Sequence, residues 1–138
     1  MCLQDASEEL KADHAFVCYK FLEIREEERS FLWFKWKRIR FYSPYQSHYY
    51  YTLRKMAKSR LNYLNAWSRG IVEEGLHSFS TDAEAEIEAY NSGAPYHSNI
   101  AICEFLIPLG AKYHEGVFWG KKSYASNKLK MINYRILK

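Results

Sequence analysis

Five histidines, His14, His48, His77, His97 and His114, are the side chains best suited to acid–base or metal chemistry, and they are scattered. No HExxH or short His/Cys spacing is present, so no metal centre and no cofactor are expected. Two of the five stand out. His77 in GLHSF (75–79) and His114 in AKYHEG (111–116) lie near glycines, where backbone can approach a ligand closely. Glu115, beside His114, could orient an imidazole or move a proton. His77, His114 and Glu115 are therefore the residues to watch for catalysis, against the plainer reading of local hydrogen bonding in loops. Ser78, Ser80 and Ser126 lack the GxSxG setting of a nucleophile elbow. Neither GxxxxGK[ST] nor GxGxxG occurs, so conventional nucleotide cradles are absent. Cys2, Cys18 and Cys103 are odd in number and have no metal-like spacing, which fits free thiols in a reducing compartment. Cys18 and Cys103 sit in apolar runs and are expected in the core. Cys2 would become a thiol beside an α-amine if Met1 were removed; a plain surface thiol is the default.

Charge is strongly segregated behind the net value of +4. From Arg29 to Val72 there are ten Lys or Arg and no acid, and from Gly116 onward there are six more cations and again no acid. Between them lies an acidic stretch with Asp82, Glu84, Glu86 and Glu88. Such blocks attract phosphates or acidic protein surfaces, or they pair with the acidic stretch inside the fold. Lys35, Lys37, Arg38, Arg40, Arg54 and Lys58 would supply the attraction, with Trp36, Tyr45 and Tyr49 as stacking faces. No RNA-recognition, helix-turn-helix or OB signature accompanies them.

These groups need a scaffold. At 138 residues the chain is expected to form one domain, 1–138, with 1–13 loosely ordered. Aromatics make up 17%, twelve of them Tyr, which suits either wet clefts and interfaces or the pleats of a small sheet. HAFVCYKFLEI (14–24) reads as a strand, EEERS as the turn after it, and FLWFKWKRIRFY (31–42) as a second strand. Neither face of that second strand is purely apolar, so at least some of Trp33, Phe34, Trp36 and Phe41 are expected in the core. Residues 51–67 carry Leu53, Met56, Ala57, Leu61, Leu64 and Trp67 at spacings of three and four, which predicts an amphipathic helix stopped near Gly70. Thr81 and Glu84 have capping-box spacing and open a second, short helix. NIAICEFLIPLG (99–110) predicts a strand, AKYHEGVFWGKKS (111–123) a loop, and NKLKMINYRILK (127–138) a last strand. The expected fold class is α+β, with a small twisted, mainly antiparallel sheet and two helices. The N-terminal MCLQDASEELKADH is unlike a signal peptide and no apolar run reaches spanning length, so a cytoplasmic protein with no membrane partner is expected.

GLHSF (75–79), IPLGAKYHEG (107–116) and SYASNKL (123–129), together with the YK of the first strand and SPYQ (43–46), resemble a family of small uncharacterised proteins from bacteria and their phages. More distantly, the chain resembles ADP-ribosyltransferases. That resemblance places Tyr19-Lys20 on a first strand, Gly75, His77, Ser78, Ser80 and Thr81 on a second, and Pro108 and Gly110 at a turn. No carboxylate follows Glu115, where the family has its catalytic Glu. The resemblance thus implies a degenerate transferase-like binding fold with Tyr19, Lys20, His77 and Ser78 near a ligand. The expected function is a small non-catalytic binding protein of a phage or mobile element. Its partner is expected to be anionic, a nucleotide, nucleic acid or acidic host protein. The alternatives are an enzyme acting on NAD or a nucleotide with Glu115 as a relocated acid, and a homo-oligomer that buries its aromatics.

Overall fold

Alternation of buried and exposed residues, rather than helical spacing, governs most of this chain. The computed structural model describes residues 3–45, 49–66 and 69–137. In chain order these form β1 (Leu3–Gln4), β2 (Leu10–Lys11), β3 (Phe16–Phe31), β4 (Phe34–Tyr42), β5 (Tyr50–Tyr51), β6 (Met56–Lys58), β7 (Asn62–Ala66), β8 (Arg69–Glu74) and β9 (Leu76–Phe79). Helix α1 (Asp82–Asn91) follows, then β10 (Ile100–Ile107), β11 (Lys112–Phe118), β12 (Lys121–Ser126) and β13 (Lys128–Ile136). The strands pair antiparallel in the order β6-β13-β10-β3-β9-β12-β11-β1-β8-β7, with β2 on β11 and β4 on both β3 and β5. This overturns the expected α+β layout with two helices. The architecture is one large antiparallel sheet with a single α-helix among the described residues.

The helix expected over 51–67 is absent. Arg54 sits at φ +66°, which is incompatible with a right-handed helix. Leu53 and Ala57 pack on the core, while Met56 and Leu64 are exposed, so the helical stripe does not describe what is buried. The segment instead supplies β5, β6 and β7, which pair with β4, β13 and β8. Unpaired sheet edges are strong templates, and here tertiary pairing overrides local propensity. Trp67, at the end of the stripe, lies outside the described residues, as do Cys2, Gln46 and His48.

Three further expectations need correction. EEERS is not a turn: β3 runs through it to Phe31, and the turn is Leu32-Trp33. Residues 111–123 are not a loop but most of the β11–β12 hairpin, turning at Trp119-Gly120. The N-terminal segment, expected to be loosely ordered, contributes β1 and β2, and Leu3 is fully buried. Other elements match. Thr81 caps α1 by accepting from the Glu84 N–H at 3.2 Å, a contact worth about 1 kcal/mol. β10 ends just before Pro108, and β13 forms as expected.

Core packs on both faces of the sheet. Cys18 and Leu22 of β3 join Cys103, Phe105, Leu129 and Met131 on one face. Phe21 joins Ile100, Ile102 and the α1 residues Ala85 and Ala89 on the other. The Cys18 and Cys103 thiols are buried, as their apolar surroundings in the sequence imply. Part of the charge segregation resolves internally: Arg135 pairs with Asp82 and Glu86, and Lys121 reaches the buried Glu88 at 3.1 Å. No helix among the described residues is long and apolar enough to cross a membrane.

Candidate functional site

A gap in the sheet makes the site. β3 holds β10 through eight register pairs but touches β9 at one, Tyr19 opposite Phe79. Past that bridge the strands part. Lys20 reaches across and donates from Nζ to the His77 carbonyl, replacing a ladder hydrogen bond with a side chain. Beside it opens a cleft of about 310 Å³, lined by Lys20, Ser43, Tyr45, Tyr49, Tyr51 and His77, with exposed Glu73 and Glu74 at its edge. A tighter apolar slot with Phe21, Ser78 and Phe118 in its walls adjoins it through Lys20, Tyr45 and His77.

Electrostatics sets the character of this cleft. The Lys20 side chain is partly exposed, but its ammonium end is enclosed, and burial pushes its pKa down to about 8. No carboxylate contacts it among the described residues; its neighbours are the His77 carbonyl and, 5.6 Å away, the Tyr51 ring. His77 Nδ1 lies 3.1 Å from the Gly75 carbonyl, which assigns the proton to Nδ1 and leaves Nε2 as an acceptor. Nε2 and the buried Ser78 hydroxyl have no hydrogen-bond partner among the described residues. Burial, and then the Lys20 charge, push His77 down to about 4, so the ring is neutral near pH 7. Burial also raises Tyr45 to about 12 and raises Tyr49 and Tyr51, keeping all three as phenols.

His77 has a consequence for acid stability. A group whose folded pKa is depressed binds fewer protons folded than unfolded, so stability falls as pH drops through that window. Between pH 6.5 and about 4 the protein is expected to lose about 3 kcal/mol through His77 alone. His77→Asn, which can still donate to the Gly75 carbonyl, isolates this from the carboxylates. Denaturant unfolding from pH 7 to 4 should show a shallower loss in the variant; parallel curves would exclude the buried neutral imidazole.

Six residues singled out in the sequence meet here: Lys20, Tyr45, Tyr49, Gly75, His77 and Ser78. Tyr19 does not join them, because strand alternation turns it to the opposite face, in a shallow pocket with Asp82, Glu104 and Arg135. His114 is buried elsewhere, stacked on Tyr63 with ring centroids 4.8 Å apart and Nδ1 2.9 Å from the Ser7 carbonyl. Glu115 stands 3.9 Å from Lys122, and its backbone bonds both ways with Ser7. This pair anchors the N-terminal segment. Lys35, Trp36, Lys37, Arg38 and Arg40 stand on β4, Arg54 precedes β6 and Lys58 closes it at the sheet edge, and none of them lines the cleft. Of Trp33, Phe34, Trp36 and Phe41, only Phe41 is in the core.

Ser43, Tyr51, Glu73 and Glu74 are cleft residues that sequence reasoning does not single out. The helix expected from residue 51 hides Tyr51; the Tyr49-Tyr50-Tyr51 run, whose first and third rings alternate onto one face, is the signal that was available. Among the described residues no three His, Cys, Asp or Glu side chains gather as a metal site. The chain matches no protein-family model, no curated protein and no solved structure.

Proposed function

We propose that the protein is a non-catalytic binding protein whose cleft takes a small ring-bearing anion, of the class of a nucleoside monophosphate or an aromatic carboxylate. The supporting observation is the enclosed Lys20 ammonium, which has a carbonyl for company and no counter-charge among the described residues. Isolating a charge from water is costly, and an incoming anion would relieve that cost. Tyr45 and Tyr49 offer ring faces. A volume of about 310 Å³ suits a small molecule rather than a duplex or a protein surface. Glu73 and Glu74 at the edge disfavour an extended polyphosphate. The anionic partner expected from composition is thereby narrowed to one compact charge.

Matched probes test this by titration calorimetry: AMP against adenosine, and indole-3-carboxylate against indole. The anion of at least one pair should bind about tenfold or more tightly than its neutral partner, and Lys20→Met should erase the difference. Equal affinity within both pairs, or no binding by either anion, contradicts the proposal.

A further inference from the structure

The β3–β4 hairpin leaves the sheet. β3 pairs with β10 only as far as Glu23, and beyond Ile24 its partner is β4 alone. Arg25–Phe31 and Phe34–Arg40 therefore form a free two-stranded ribbon about 23 Å long. At its end Phe31, Leu32, Trp33 and Phe34 are each between 61% and 81% exposed. Two-residue hairpin turns ordinarily recruit Asn-Gly or a Gly pair. Here the turn is Leu32-Trp33, with Leu32 at φ +56°. The chain thus keeps large apolar side chains in water, at a place where turn geometry favours small ones.

Cations stand directly behind this tip. Register places Lys35 opposite Ser30, Arg29 opposite Trp36, Lys37 opposite Glu28 and Arg38 opposite Glu27. Cross-strand partners share a face, so positive charge lies on both sides of the ribbon. Glu27 is occupied by Arg29, Arg40 and the Tyr42 hydroxyl, and Glu26 is 4.0 Å from Lys37. Lys35 and Arg38 make no ion pair among the described residues. From Arg29 to the tip and back to Arg40 there is no acid.

We propose that this tip is a contact for an anionic lipid surface: Phe31, Leu32, Trp33 and Phe34 enter the boundary between headgroups and acyl chains, and Arg29, Lys35, Lys37 and Arg38 meet the headgroup phosphates. Shape and charge select this partner. A convex tip with apolar groups all round it needs a medium that closes around it, which a fluid bilayer does and a rigid surface does not. Interfacial apolar elements sit about 5–10 Å deep, roughly two strand residues, and here the cations begin one residue behind Phe34. Trp suits that depth, and basic groups just outside it add attraction to anionic lipid. A nucleic acid would use the cations and Trp36 but leave Phe31 and Leu32 wet. The contact needs no spanning segment, so the missing apolar span does not bear on it.

Co-sedimentation of the full chain with vesicles tests the proposal, comparing phosphatidylcholine alone with phosphatidylcholine mixed with phosphatidylserine. The protein should pellet with the anionic vesicles and not with the neutral ones, and raised salt should weaken it. Trp33→Ser and Leu32→Ser are exposed changes whose folding circular dichroism can verify; each should cut binding about tenfold. The double change Lys35→Gln, Arg38→Gln should remove the preference for phosphatidylserine. Lys20→Met should leave sedimentation unchanged, which keeps this result separate from the cleft. The proposal is overturned if the wild type stays in solution with anionic vesicles, or if Trp33→Ser pellets equally well. It is also overturned if light scattering shows a dimer that Trp33→Ser dissolves without any vesicle binding, or if a single-stranded oligonucleotide is bound and vesicles are not.

Discussion

Lys20→Met raises the Tm of the ligand-free protein by roughly 5 °C near pH 7 and abolishes anion binding in the cleft. The two effects share one cause. Lys20 carries its charge into the gap between β3 and β9, where its neighbours among the described residues are the His77 carbonyl and the Tyr51 ring. A shift from 10.5 to about 8 corresponds to about 3 kcal/mol of stability withheld from the folded state, less a discount because the cleft admits water. Losing the hydrogen bond to His77 returns about 1 kcal/mol of that. Methionine fills similar space without a charge. The pH dependence gives the control. Across the window from about 8 to 10.5 the unfolded lysine holds more protons than the folded one, so stability of the wild type rises with pH there. The gap between wild type and variant should therefore close as pH approaches 10.5. Thermal melts across that range check it. A variant less stable than wild type at pH 7 would mean that Lys20 is a structural strut and not a retained cost.

Gly116→Ala destabilises the protein by about 3 kcal/mol and frees the N-terminal segment. Gly116 lies in β11, which pairs with β1 at Gln4 and Val117, and a Cβ there would stand 2.5 Å from the Gln4 carbonyl oxygen and 2.8 Å from Leu3 Cγ. Backbone cannot yield as a side-chain tip can, so β1 must lift. Gly70 makes the same close approach to the Ala6 carbonyl, and the Ala6 N–H bonds back to Gly70 at 2.9 Å. Lifting β1 exposes Leu3 and breaks the contacts of Ser7 with Glu115 and His114. Denaturant midpoints measure the loss, and hydrogen exchange of residues 3–12 locates it. An unchanged midpoint would show that the segment is not part of the folded core.

Those glycines show where the sequence was legible and where it was not. Gly116 suggests loop punctuation and Gly70 a helix stop, because a single chain does not reveal what lies 2.5 Å above a backbone. The Thr81 cap and the strand before Pro108 were legible because their causes are local. Residues 51–67 were not, because the partner of β6, β13, is distant in sequence, and the spacing of the apolar residues imitates a helix across the nearer β5–β4 and β7–β8 pairings. In the cleft, Lys20 and His77 could be proposed from their types, but only the parted strands bring them together. Tyr19, one residue away, points to the other face for the same reason of alternation. The absence of a clean apolar face on β4 does have a physical reading. From Phe34 to Ile39 neither face is covered, so the ribbon's pattern records two wet sides and an apolar end.

The central claim is that the Lys20 ammonium is enclosed with no counter-charge among the described residues and that the cleft supplies the place for one. A pH titration of the Lys20 side chain by NMR, with and without saturating AMP, tests it most directly. The account predicts a midpoint near 8 in the free protein, moving upward past 10 when the anion is bound. A midpoint near 10.5 in the free protein, or one that does not move with AMP at saturation, would contradict it.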